Sequence, residues 1–203
     1  YKEEVHLKNG SDIIDYNKLN SFLDKNIFKI EKLIGNFLRS INVIIENDQT
    51  LNCLMGIKKK NYGKKINKYY LESSLKDLKG LFKENYQNKK MIHFIVNRCL
   101  IDGINYSSFD EEIDGDNMCV EVKFISVSNI LIDEISSVLE KYQIKIDHLF
   151  EKKYIENLFE GEHLDLSIIA FKIQSGHNQN EIILVPKSQK KRGFFEKFFQ
   201  LFS

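Results

Sequence analysis

Apolar residues recur at helical spacing from about Asn17 to Leu38, with Leu19, Phe22, Leu23, Ile27, Ile30, Leu33, Ile34, Phe37 and Leu38 marking the core side of one long helix. The pattern then shortens. Ile41–Ile45 is β-branched and apolar, Leu51–Ile57 is a second strand candidate, and the turn Asn61-Tyr-Gly63 leads to a third at Ile66–Leu71. Ser74, with Asp77 three residues on, resembles a capping box opening a helix through Leu75, Leu78, Leu81 and Phe82. Met91–Ile101 follows as a long strand closed by Asp102-Gly103, then an acidic, apolar-poor loop from Asn105 to Asn117. Cys119–Val127 forms another strand, after which Ser128 or Asn129 caps a helix carrying Ile130, Leu131, Ile135, Val138 and Leu139. Ile144–Leu149 returns as a strand. Lys152–Ile173 is helical in pattern, interrupted at Gly161, and Gly176 stops it before a strand at Glu181–Val185. A short strand at Val5–Leu7 and a Gly10-Ser11 turn precede the first helix. Strands alternating with helices predict a mixed α/β (α+β) fold.

The last eleven residues, Gly193–Ser203, carry a different pattern. On a helix Phe194, Phe195, Phe198, Phe199, Leu201 and Phe202 gather on one side, while Glu196, Lys197, Gln200 and Ser203 share the other. Just upstream Lys187, Lys190, Lys191 and Arg192 follow Pro186, and cations near an anionic leaflet add roughly 1 kcal/mol each. The segment suits an interfacial anchor and falls far short of the ~20 apolar residues that span a bilayer. Two other occupants fit the same spacing: the protein's own core and a partner's groove. The polar connector Ser188–Arg192 ending in Gly193 favours the membrane, because it has the composition of a tether. The expected membrane-binding residues are Lys190, Lys191, Arg192, Phe194, Phe195, Lys197, Phe198, Phe199, Leu201 and Phe202.

At 203 residues, the chain has room for one sizeable core. Its 30 basic and 29 acidic residues balance, so net charge gives no case for nucleic acid. Lys58, Lys59, Lys60, Lys64, Lys65 and Lys68 form the second basic patch, which reads first as a solvated hairpin. Cys53, Cys99 and Cys119 sit in apolar runs and are odd in number, so reduced thiols and a cytosolic compartment are expected. No glycine-rich phosphate loop, no Cys-x-x-Cys and no pair of histidines at metal spacing is present, and no cofactor is expected. His93 alternates with apolar neighbours and reads as structural. The acidic run Asp110, Glu111, Glu112, Asp114 and Asp116 lacks the spacing that wraps calcium.

Taken in order, Met91-Ile-His-Phe-Ile-Val96, Leu100-Ile-Asp-Gly103, an acidic loop, Met118-Cys-Val-Glu-Val-Lys-Phe-Ile125, a helix and Tyr142-Gln-Ile-Lys-Ile-Asp147 form a pattern that resembles the inserted subdomain of FtsA, the actin-like bacterial division family. Gly115-Asp-Asn-Met118 stands where that family has a Gly-Met turn. Gly10–Asp15, the helix with Ile30-Glu-Lys-Leu-Ile34, and the strands at 41–45 and 51–57 are similar to the first FtsA lobe, and a basic, Phe-rich C-terminus is also an FtsA trait. The resemblance implies a partial first lobe at 1–72, the inserted subdomain at 73–150, a completing helix and strand at 151–186, and the linker and amphipathic helix at 187–203. The departures from the family are large, and the glycine and methionine of that Gly-Met turn are present but separated. The stretch from Leu149 to Pro186 is too short for a second lobe, and Leu164-Asp-Leu-Ser-Ile-Ile169 lacks the glycines that let backbone amides approach phosphate.

What the resemblance implies is therefore a division protein without an ATP site, not an enzyme, peripheral on the cytoplasmic face of the inner membrane at the division site. Its partners would be an anionic membrane surface and FtsZ or other division proteins, with self-association as a further expectation. Asp102, Gly103, Gly115 and Met118 are the implied partner-binding residues. A scaffold for pilus or secretion assembly and a residual actin-like ATPase are the rival expectations.

Overall fold

The computed structural model describes residues 15–182 except 108, 110 and 163. The expected strand at Val5–Leu7, the Gly10-Ser11 turn and the whole basic, Phe-rich tail lie outside the described residues. Among the described residues the fold is mixed α/β, with five helices, a two-stranded parallel sheet and a four-stranded antiparallel sheet. The chain divides into two compact units that alternate along the sequence: residues 1–44 with 129–149, and residues 45–128 with 150–203.

In the first unit, helix α1 (Tyr16–Ile34) starts at Asp15, whose carboxylate accepts the Asn17 and Lys18 amides at 3.1 and 3.2 Å. It stops four residues before the expected end. Gly35 takes a left-handed φ of 71° and its N–H returns to the Glu31 carbonyl, a conformation that glycine adopts without a Cβ penalty. Strand β1 (Ser40–Ile45) pairs in parallel with β6 (Lys145–Glu151), and Lys145 N–H donates to the Arg39 carbonyl. Helix α3 (Asn129–Glu140) packs beside α1. Tyr16 Oη donates to Glu134 at 2.6 Å, and Tyr142 Oη donates to Asp24 at 2.8 Å. Burial and the adjacent Glu134 carboxylate hold the Tyr16 hydroxyl well above the usual phenol range.

The second unit is built on β2 (Leu51–Lys60), β3 (Lys89–Ile101), the short β4 (Ile104–Asn105) and β5 (Asn117–Ser128), in the order β2-β5-β3-β4. β5 is central and antiparallel to both β2 and β3. Its alternate residues Met118, Val120, Val122 and Phe124 are fully buried, as period-two alternation requires of a strand covered by a helix. That helix is α2 (Lys68–Asn85), which supplies Leu75, Leu78 and Phe82 to the same core. Phe124 lies between two rings, with centroids 4.6 Å from Phe82 and 4.8 Å from Phe94.

The start of α2 differs from expectation. Ile66 forms only an isolated bridge with Ile113, and the residues expected to continue a strand to Leu71 are helical from Lys68. The cap is Asn67, extended at φ −129°, whose side chain accepts the Tyr70 amide at 3.2 Å. Ser74 is inside the helix, its hydroxyl donating to the Tyr70 carbonyl at 3.0 Å. Leu71, Leu75, Leu78 and Phe82 explain why: their spacing extends the apolar face a turn upstream of Ser74, and a cap must precede that face. Further on, the helical stretch after Lys152 splits into α4 (Lys152–Asn157) and α5 (Leu166–Gln174), with Gly161 at φ 92° between them. Of the expected strand at 181–185, the described part is a bridge from Glu181 to Ile95 and an Ile182 N–H bond to the Phe94 carbonyl.

Candidate functional site

One end of the antiparallel sheet gathers three of the four residues implied as partner-binding into two facing turns. Asp102 and Gly103 leave β3 in left-handed conformations, φ 47° and 87°, and both are exposed. The Asp102 carboxylate reaches across to the turn before β5, accepting the Asp116 N–H at 2.8 Å, the Asn117 N–H at 2.9 Å and the Asn117 amide group at 3.2 Å. These donors, with the Asp116 amide foremost, hold its carboxyl below the usual carboxylate range, and Lys58 adds in the same direction. Gly115 sits beneath this clasp. A Cβ there would stand 2.2 Å from Ile101 Cγ2 and 3.1 Å from Asp102 Oδ2, so only glycine lets the loop backbone come this close. Asn61 completes the joint, donating from its side chain to the Gly115 carbonyl at 3.1 Å and from its backbone to the Asp116 carbonyl at 2.7 Å.

Met118 is the exception. It is fully buried, on the same face of β5 as Val120 and Val122, so its side chain belongs to the core and cannot face a partner. An exposed apolar neighbour at this end is Ile104, 62% accessible in β4, a short strand that the sequence patterning does not find.

The lysine patch lies close by and is partly neutralised. Lys59 pairs with Asp77 at 2.5 Å and Lys65 with Glu112 at 3.9 Å. Such exposed pairs contribute little each, which fits a solvated surface. The acidic run and the lysines therefore meet through Lys65–Glu112 and the Ile66–Ile113 bridge.

A buried polar cluster, invisible in the sequence, joins β3 to the end of the described chain. His93, 1% exposed, lies 2.5 Å from Glu181 through Nδ1, and its Nε2 accepts the Glu151 N–H at 2.9 Å. Tyr154 Oη donates to the other Glu181 oxygen at 2.8 Å and accepts from the Asn178 side chain at 2.8 Å. Burial and the Glu181 carboxylate push the Tyr154 phenol far above its ordinary value, so it stays a donor. Both ring nitrogens of His93 are engaged, leaving neither to act on a substrate, which agrees with the structural role its alternation suggests. A His–Glu contact across 88 residues leaves no local signal.

All three cysteines are free. Burial, followed by the proximity of Cys119, pushes the Cys99 thiol up to about 12, the behaviour of an inert core sulfur. Among the described residues no cluster of His, Cys, Asp or Glu could hold a metal ion, and no helix is long and apolar enough to cross a membrane. The ten residues expected to bind a membrane, Lys190–Phe202, lie outside the described part. No protein-family model matches this chain, and no curated protein matches it.

Proposed function

We propose that this chain is an FtsA-like division protein that links FtsZ or another division protein to the cytoplasmic face of a membrane, without hydrolysing ATP. The observation that carries the proposal is the order of the two units along the chain. Residues 45–128 form part of one compact unit and interrupt the other, which resumes at Asn129. The order of sequence motifs leads one to look for an inserted module at 73–150, and the interrupting stretch shares residues 73–128 with it. Support for a partner-facing end comes from the exposed Asp102-Gly103 turn, whose geometry is fixed by the clasp onto residues 116–117 and which presents Ile104 to solvent. A rigid turn loses little conformational entropy on docking.

Membrane attachment rests on the sequence alone, on the segregation of five phenylalanines from the polar residues of the tail and on the cations before them. Flotation on anionic liposomes tests it. The intact chain is expected to float at low salt, while a chain ending at Ser188 or carrying Phe198→Asp and Phe199→Asp stays in solution. Equal behaviour of all three sinks the anchor. The partner half is read separately, by co-sedimentation with FtsZ polymers: Ile104→Asp is expected to abolish it, and absence of co-sedimentation by the unmodified chain refutes the link.

A further inference from the structure

We infer that the outer edge of β2 pairs two copies of this chain, strand against antiparallel strand, about a two-fold axis at Leu54. The pairing needs neither the membrane tether nor a division partner, and its residues lie in the second unit.

Backbone accounting defines the edge. The β2–β5 register runs unbroken from Leu51↔Ser126 to Lys60↔Asn117, and the Asn61 N–H carries it on to the Asp116 carbonyl at 2.7 Å. In an antiparallel ladder each residue turns its N–H and C=O to the same side, and the next residue turns them the other way. Odd-numbered residues of β2 therefore bond to β5, while Asn52, Leu54, Gly56, Lys58 and Lys60 turn their backbone groups outward. Tyr70 Oη takes up the last of these from that side, donating to the Lys60 carbonyl at 3.1 Å. Asn52, Leu54, Gly56 and Lys58 are exposed, and among the described residues no strand pairs with them there.

This edge carries few of the devices that keep strands apart. It is ten residues long, with no bulge and no proline, and its charges are sorted by end. Lys58 and Lys60 are exposed where the strand finishes. The turn leading into its start holds Glu46 and Asp48, which face Lys152 at 2.8 Å and Lys153 at 3.7 Å, with the Asp48 side chain still 91% exposed. Two copies laid in the same direction would set lysine against lysine. Laid antiparallel, each copy's lysines meet the acidic turn of the other. Centred on Leu54, the register puts Leu54 opposite its counterpart and Asn52 opposite Gly56, so that outward N–H and C=O groups match. The two Leu54 side chains, each 58% exposed in the single chain, then cover one another on the outer face. A two-fold pairing consumes the same edge in both copies, so association closes at two and builds no filament.

Sedimentation equilibrium on the full chain, without lipid, tests the pairing. The mass is expected to rise with protein concentration from 23.9 kDa toward twice that value and no further. Leu54→Pro removes an outward N–H that β5 does not use, and is expected to weaken association about tenfold or more while urea unfolding stays cooperative. Charge reversal gives a second readout that leaves the backbone alone. Asp48→Lys and Lys60→Asp should each weaken association about threefold or more at low salt, and both together in one chain should restore it, because the ends are then complementary again. Phe198→Asp with Phe199→Asp reads any association through the tail separately, and should leave the dimer intact. A mass of one chain at every concentration, growth beyond two copies, a dimer lost with the tail variant, or a dimer indifferent to Leu54→Pro refutes the pairing. If Leu54→Pro unfolds, the charge series decides, and failure of the double reversal to compensate overturns the antiparallel register.

Discussion

Replacing Gly115 by alanine is predicted to destabilise the second unit through one identifiable clash. The added Cβ would stand 2.2 Å from Ile101 Cγ2, against the 3.5–4.0 Å at which two carbons attract, and 3.6 Å from Ile66 Cδ1. Neither neighbour can move into solvent, since Ile101 is 2% exposed and Ile66 is fully buried. The Asp102 carboxylate, 3.1 Å from the same point, is fixed by its three hydrogen bonds. Overpacking at a site that cannot yield costs about 1–3 kcal/mol. For a chain of this size that corresponds to a fall in Tm of roughly 2–12 °C, readable by calorimetry or urea unfolding. The cause can be isolated, because Ile101→Leu removes the Cγ2 methyl while conserving volume, and by itself costs under ~1.5 kcal/mol. In the double variant the two effects should be less than additive by at least ~0.5 kcal/mol. Unchanged stability of Gly115→Ala, or strict additivity with Ile101→Leu, would show that the close approach is not what requires glycine here.

Two further outcomes follow from the local geometry. Asn67→Ala should cost ~1 kcal/mol of stability by removing the α2 cap, while Ser74→Ala, within the helix, should stay within ~0.5 kcal/mol; the reverse ranking in urea unfolding would restore Ser74 as the cap. Asp102, whose carboxyl is held below its ordinary value of 3.8, contributes stability that is present above that value and is lost as pH falls through the lower folded one. Asp102→Asn cannot take part, so its Tm should decline less steeply on acidification below that value; parallel acid limbs for the two proteins would remove Asp102 from the account.

The parts of the fold that repeat a pattern over ten residues or more were legible. β5 and β3 are found almost to the residue because their apolar runs are long and both are buried, and α1 is found because its face repeats over five turns. Errors concentrate where one residue decides between neighbouring states. Gly35 ends α1 before Phe37 and Leu38, although those residues keep the period, and Asn67 opens α2 where Ile66–Leu71 reads as a strand. The Asp102–Gly103 turn was legible from its composition, and its clasp onto residues 116–117 was not, because that contact depends on the register of β3 against β5. Met118 was misassigned for the same reason: only the register says which face of β5 is covered by α2. The His93 cluster could not have been found, since Glu181 lies 88 residues away beside a short segment without strong periodicity.

The pairing of β1 with β6 has a consequence for the order of events during folding. These strands lie on either side of residues 45–128, so closing that sheet brings together segments separated by nearly half the chain. The entropy lost in closing so large a loop falls steeply once the intervening chain has collapsed and its ends are held near one another. The β2-α2-β3-β5 layer can form from contacts much closer in sequence, and on a ribosome it emerges before β6 does. Its stability is therefore expected to govern the rate at which the whole protein matures. A lesion such as Gly115→Ala would be felt twice: once in equilibrium stability, and again as a delay during which the apolar faces of α1 and β1 wait, uncovered, for their partner strand.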